Sequence, residues 1–141
     1  MGDHLKITAD QARAVARSLK FRDGLVTAVV RDFRTKDVLM VAMQDEQAVL
    51  KTLTTGLMHY WSRSRRKLWL KGEESKHYQY VRGLWVDCDG DTLLFDVEQE
   101  GGACHEGYRS CFYRKLEDGK FVKVLDRIFD PKKIYGRMEA K

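Results

Sequence analysis

Between Asp87 and Cys111 the chain places hard oxygen ligands beside soft sulfur ligands. The stretch reads Asp-Cys-Asp-Gly-Asp at 87–91, Gly-Gly-Ala-Cys-His at 101–105 and Ser-Cys-Phe at 110–112, and it holds all three cysteines. Carboxylates close together repel one another in a low dielectric, and a hard divalent cation such as Mg²⁺ is their natural neutraliser. The plainer alternative is a charged hairpin tip that needs no ion. If strand pleating runs through this segment, Asp87 and Asp89 face one way and Cys88 the other. One tripeptide would then serve an oxygen site, completed by Asp91, and a separate sulfur site. An EF-hand loop is rejected. Asp87, Asp89, Asp91 and Glu98 fall at its positions 1, 3, 5 and 12, but Thr92 stands where the turn requires glycine.

Fifteen residues separate Cys88 from Cys104, and six separate Cys104 from Cys111. This is not the paired spacing of a zinc ribbon. Three thiolates nevertheless leave a fourth position open, as a catalytic zinc does. His105 adjoins Cys104 and is either a fourth ligand or a general base. Gly101, Gly102 and Gly107 around it indicate a tight loop rather than a core element; three buried structural cysteines beside a surface histidine are the alternative. Ser62-Arg63-Ser64-Arg65-Arg66 offers guanidinium forks and hydroxyls for an anion such as phosphate, or is a solvated basic loop. Lys71-Gly72-Glu73-Glu74-Ser75 is a polar loop that touches substrate or nothing.

These residues need elements to hold them. Thr8 to Gln11 fits a capping box, and apolar residues at Ala12, Val15, Ala16 and Leu19 predict an amphipathic helix that stops near Asp23-Gly24. Leu25 to Val30 and Val38 to Met43 read as a hairpin. Asp45 caps a helix through Leu53, with Gly56 as its stop. Strands are expected from Leu57 to Trp61, around Leu68 to Leu70, from Tyr78 to Cys88 and from Thr92 to Val97, the last two joined at Asp89-Gly90. Phe112 to Leu116 and Phe121 to Leu125 form a further hairpin about Asp118-Gly119. The basic tail from Asp126 carries no assigned function. The fold class is α+β, a β-rich domain of hairpins with a capping helix.

The chain's 141 residues, 43% hydrophobic and with one proline, suit one domain with its own core. Residues 1–24 read as a helical extension, 25–116 as the main domain, and 117–141 as a hairpin strand and basic tail of that domain. The net charge of +5 favours anionic partners without separating nucleic acid from a phosphorylated metabolite. The N-terminus lacks an apolar signal core, and no apolar run approaches the roughly 20 residues that cross a bilayer. A cytoplasmic protein without a membrane partner is expected, and there cysteines serve as ligands or free thiols rather than disulfides.

Taken in order, Tyr60-Trp61-Ser62-Arg63-Ser64-Arg65, Leu68-Trp69, Lys71-Gly72-Glu73, Asp87-Cys88-Asp89-Gly90-Asp91, Val97-Glu98-Gln99, Gly102-Ala103-Cys104-His105 and Ser110-Cys111-Phe112-Tyr113-Arg114 closely resemble the phosphoribosyl-AMP cyclohydrolases of histidine biosynthesis. The match spans roughly residues 25–115. The resemblance implies an intertwined homodimer with active sites at the subunit interface, Zn²⁺ on Cys88 of one subunit with Cys104 and Cys111 of the other, and Mg²⁺ on Asp87, Asp89 and Asp91. It implies hydrolytic opening of the adenine ring between N1 and C6 of phosphoribosyl-AMP, the third step of the pathway. His105 is then the candidate proton-transfer group, and Ser62, Arg63, Ser64, Arg65, Lys71 and Glu73 are the candidate substrate contacts. The partner is thus a small phosphoribosyl nucleotide rather than nucleic acid; a non-catalytic zinc module that binds nucleic acid is the rival, and it predicts salt-sensitive binding. Thr27, Leu70 and Lys76 depart from the proline, histidine and glycine usual in the family. About 25 residues follow the match, which suits the single-function form.

Overall fold

The computed structural model describes residues 4–135. The expected extension and tail also include residues 1–3 and 136–141, which lie outside the described residues. Helix α1, Ala9–Arg17, starts at a Thr8 capping box in which the Thr8 hydroxyl accepts from the Gln11 N–H and the Gln11 side chain accepts from the Thr8 N–H. Ala12 and Ala16 lie on its buried face. The helix ends at Arg17 with Ser18 as its cap, well before the Asp23-Gly24 stop expected from periodicity. Beyond it the Lys20 N–H donates to the Gly90 carbonyl at 2.8 Å, and Arg22 bridges to Leu25.

Strands β1, Val26–Asp32, and β2, Val38–Gln44, form the expected hairpin. Helix α2, Glu46–Thr55, follows, capped by the Asp45 carboxylate on the Ala48 N–H. Gly56 ends it at φ 78°, a left-handed conformation that glycine adopts without a Cβ penalty. Then come β3, His59–Ser62, and β4, Lys67–Leu70, with β5, Gln79–Val86, and β6, Thr92–Gln99. The six strands form one mixed sheet in the order β4-β3-β2-β1-β6-β5. Pairing is antiparallel except between β1 and β6, which run parallel from Thr27 opposite Thr92 to Asp32 opposite Val97. A hairpin reading does not anticipate that parallel pair, because the chain must leave β1, build five elements and return beside it. The core is made by Val26, Ala28 and Val30 of β1, Leu93, Phe95 and Val97 of β6, and Tyr60, Leu53 and Met58.

A separate hairpin, β7 Arg114–Glu117 with β8 Lys120–Lys123, turns at Asp118-Gly119. A short helix α3, Pro131–Tyr135, lies in the tail. No helix among the described residues is long and apolar enough to cross a membrane. The fold class is α+β, a curled mixed sheet with few helices.

Candidate active site

The 102–111 loop is held against the sheet through its backbone. The Cys111 N–H donates to the Leu39 carbonyl of β2 at 2.7 Å, and the Ser110 hydroxyl donates to the Val38 carbonyl at 2.7 Å. Within the loop, the Ala103 N–H donates to the Arg109 carbonyl and the Cys104 N–H to the Tyr108 carbonyl. Gly102 sits where a Cβ would lie 2.6 Å from the Tyr108 carbonyl oxygen, so only glycine allows this closure. Arg109 clamps the loop from outside, reaching Asp32 at 2.9 Å, Asp37 at 3.0 Å and the Thr35 hydroxyl at 3.1 Å, all on the β1–β2 hairpin.

This closure brings Cys104 and Cys111 together. A hydrogen bond from the Cys111 thiol is the main cause that draws Cys104 down to about 6, aided by the Glu106 N–H at 3.4 Å from its sulfur. Cys111 is pushed up for the converse reason, since its proton is shared with a neighbour that already carries charge. The pair therefore holds one proton and one negative charge near neutral pH, a donor set suited to a soft divalent cation. Cys88 stands apart from them, exposed in the turn after β5.

Cys111 of this pair lines a cleft of about 640 Å³, while Cys104 is buried beside it. Its lining comes from Cys111, His105 and Glu106 of the loop, from Ser62, Arg65, Trp69, Leu70, Lys71 and Glu73 of the β3–β4 region, and from Met40 of β2. His105 is 79% exposed as a side chain, and its Nε2 lies 3.5 Å from Glu106 Oε2. Ser62 accepts the Arg65 N–H at 3.2 Å and thereby shapes the β3–β4 turn. Arg63 and Ser64, on the same turn, are not among the residues that line the cleft. Glu73 accepts the Leu70 N–H at 2.9 Å, so one of its oxygens is engaged in local structure. Lys71 is turned inward: its Nζ donates to the Ala103 carbonyl at 2.6 Å. Burial lowers its pKa, and the Cys111 and Cys104 thiols oppose that shift.

The three aspartates gather elsewhere. One oxygen from each of Asp87, Asp89 and Asp91 lies within 4.8 Å of the others. Asp87 Oδ1 accepts the N–H groups of Asp91 and Thr92, each at 3.2 Å. Asp89 is raised, first through its hydrogen bond with Asp87 and then through that neighbour's charge. Asp91 is lowered, chiefly by Arg22 at 2.8 Å. The repulsion at Asp89 is one that either a proton or a bound cation relieves. Strand alternation is not what groups these residues. Strand β5 ends at Val86, and residues 87–91 are a turn that folds the carboxylates toward one another. Neither the aspartates nor Cys88 lines the cleft of the same chain.

The sequence model of the phosphoribosyl-AMP cyclohydrolases matches residues 40–113, the span that contains both thiols, the aspartates and every cleft residue named above. The chain is 56% identical over 117 residues to the phosphoribosyl-AMP cyclohydrolase of Methanothermobacter thermautotrophicus, covering 81% of this chain and 84% of that one. It is 54% identical over 120 residues to the enzyme of that name from Methanoregula boonei, covering 84% and 95%. The chain belongs to the phosphoribosyl-AMP cyclohydrolase family. A histidine biosynthesis bifunctional protein HisIE of Thermoanaerobacter pseudethanolicus is 45% identical over 128 residues, 90% of this chain and 59% of that protein.

Two features of this cyclohydrolase chain escaped the sequence reading. Arg109 and the inward course of Lys71 both depend on contacts between distant segments, and no local pattern signals them. Lys76, one of the three departures expected from the resemblance, lies at φ 66°, the left-handed region that favours glycine. Thr27 sits inside β1 with its hydroxyl near the Met43 sulfur, at 3.8 Å.

Proposed function

We propose that this chain hydrolyses phosphoribosyl-AMP between N1 and C6 of the adenine ring, in histidine biosynthesis, at a site assembled from two copies. The observation that carries the reading is the Cys104–Cys111 pair, with Cys111 lining a nucleotide-sized cleft, in a chain of this family. About 640 Å³ lies within the usual range of small-molecule sites. Cys104 and Cys111 would hold zinc together with Cys88 of a second copy, since Cys88 is exposed and apart from them within one chain. Asp87, Asp89 and Asp91 would hold magnesium. When bound, zinc supplies Lewis acidity that brings the ionisation of water toward neutral pH, and magnesium supplies positive charge for a phosphate.

The chain's own residues supply the rest. Trp69, Met40 and Leu70 give the cleft apolar surface for a purine. Arg65 and Ser62 of its lining bind an anionic oxygen, and Arg63 and Ser64 belong to the same turn. Glu73 keeps one carboxylate oxygen available for a sugar hydroxyl. His105 moves the proton: it is exposed at the cleft, and Glu106 at 3.5 Å orients its ring.

The test is a spectrophotometric assay with phosphoribosyl-AMP, run with zinc and magnesium and again after a chelator. Turnover that the chelator abolishes and zinc restores is expected; a metal-replete protein without turnover contradicts the reading. His105→Ala with zinc retained is expected to lose about 10²–10⁴-fold in turnover, and near-normal turnover would remove His105 from this role.

A further inference from the structure

Lys71 is a buried cation whose surroundings hold no carboxylate partner among the described residues. It is 8% exposed, directly follows β4 and lines the cleft. Its N–H bonds the Met58 carbonyl at 3.0 Å, which fixes the backbone. The side chain then runs beside the Trp69 ring, 5.9 Å from its centroid, and ends on the Ala103 carbonyl at 2.6 Å. That carbonyl belongs to the residue immediately before Cys104. The charges that act on the ammonium are the two sulfurs, Cys111 and Cys104. Behind them lies Tyr60, which is fully buried and held neutral by that burial, so it supplies no charge of its own.

A buried ammonium without a counter-ion is costly, and proteins rarely retain one. Here the counter-ion is the thiol site itself. Three thiolates around one divalent cation leave an excess of negative charge in a partly desolvated place, and a fixed ammonium on the protein side offsets it. The same ammonium, through the Ala103 carbonyl, ties the end of β4 to the loop that presents Cys104. One of its three N–H donors is spent on that carbonyl, so a substrate contact would have to share the group.

We propose that Lys71 is a positioning residue of the thiol site, bracing the Cys104 loop through the Ala103 carbonyl and neutralising the thiolates when they hold a metal ion. This rests on the reading of Cys104 and Cys111 as zinc ligands. It assigns to Lys71 a role in holding the metal rather than in contacting the nucleotide, which the family resemblance implies.

The test compares zinc affinity in the wild type, Lys71→Met, Lys71→Gln and Lys71→Arg, by competition with a chromophoric chelator in the absence of substrate. Partners outside the ligand shell typically contribute 10–100-fold in metal affinity. Lys71→Met is expected to bind zinc about 10–100-fold more weakly, and Lys71→Arg, which keeps charge and donor, to recover most of that loss. If Lys71→Met does not fold by circular dichroism, Lys71→Gln, which keeps a donor without the charge, carries the test and is expected to bind about ten-fold more weakly. Unchanged zinc affinity in the neutral variants, with a raised KM for phosphoribosyl-AMP, overturns the proposal in favour of a substrate contact. Arginine as weak as methionine overturns the neutralising role. A wild type that binds no zinc would instead refute the zinc reading itself, so the two failures are distinguishable.

Discussion

Replacing Arg109 by methionine removes the clamp between the thiol loop and the β1–β2 hairpin while keeping an unbranched side chain. Its bond to Asp37 counts for little, because Asp37 is 62% exposed and such pairs contribute near zero. Its bond to Asp32 matters more, because that carboxylate is only 17% exposed as a side chain. Asp32 keeps the Arg34 and Thr35 N–H groups at 2.8 and 3.0 Å, so it is not orphaned by the substitution. A hydrogen bond to a charged group contributes about 1.5–3 kcal/mol; with Arg109 itself a third exposed, about 1–2 kcal/mol is expected for the variant.

The sign of the pH dependence follows from Asp32. Burial alone would raise its pKa, but the Thr35 and Arg34 N–H groups and Arg109 outweigh that and hold it below its ordinary value of 3.8. A lowered folded pKa adds stability above the unfolded value, and that stability is lost as pH falls through the folded one. Urea denaturation of chelator-treated wild type and Arg109→Met, at equal protein concentration, should therefore show the full gap at pH 7 and a smaller gap near pH 3. A gap below about 0.5 kcal/mol at pH 7, the ordinary scatter of surface substitutions, or one that does not shrink in acid, would refute the reasoning.

Asp89→Asn removes a carboxylate that its neighbours already resist ionising; thermal melts should show that magnesium raises the wild-type Tm but no longer raises the variant's, and an equal rise in both would contradict the cation reading. Gly102→Ala forces a methyl to within 2.6 Å of the Tyr108 carbonyl and 2.9 Å of Phe129. Overpacking of that kind costs about 1–3 kcal/mol, to be read from denaturation midpoints together with a loss of retained zinc.

Local chemistry was legible in the sequence. The Thr8 capping box, the Asp45 cap with its Gly56 stop, and the Asp-Gly turns between β5 and β6 and between β7 and β8 each depend on residues within a few positions of one another, and the structure has them. The end of α1 was misplaced because Leu19 continues the apolar period, whereas the backbone there is drawn away by the Lys20 bond to Gly90. The parallel pairing of β1 with β6, the Arg109 clamp and the Lys71 bond to Ala103 join segments many residues apart, and no pattern within a window encodes them. The candidate ligands could be named from residue type, but their grouping came only from the family resemblance and not from their spacing. Cys104 with Cys111, and the aspartates apart from both, follow from how two loops fold.

The most direct measurement for a site shared between two copies is subunit complementation. Cys88→Ser and Cys104→Ser, each inactive alone, are mixed, dissociated and reassociated, then assayed with phosphoribosyl-AMP in the presence of zinc and magnesium. In a twofold dimer with shared sites, each mixed pair regains one intact site of two, so random reassociation should restore about a quarter of wild-type turnover. A mixture that stays inactive, although mixed dimers form, would contradict a site built from Cys88 of one chain and Cys104 and Cys111 of another.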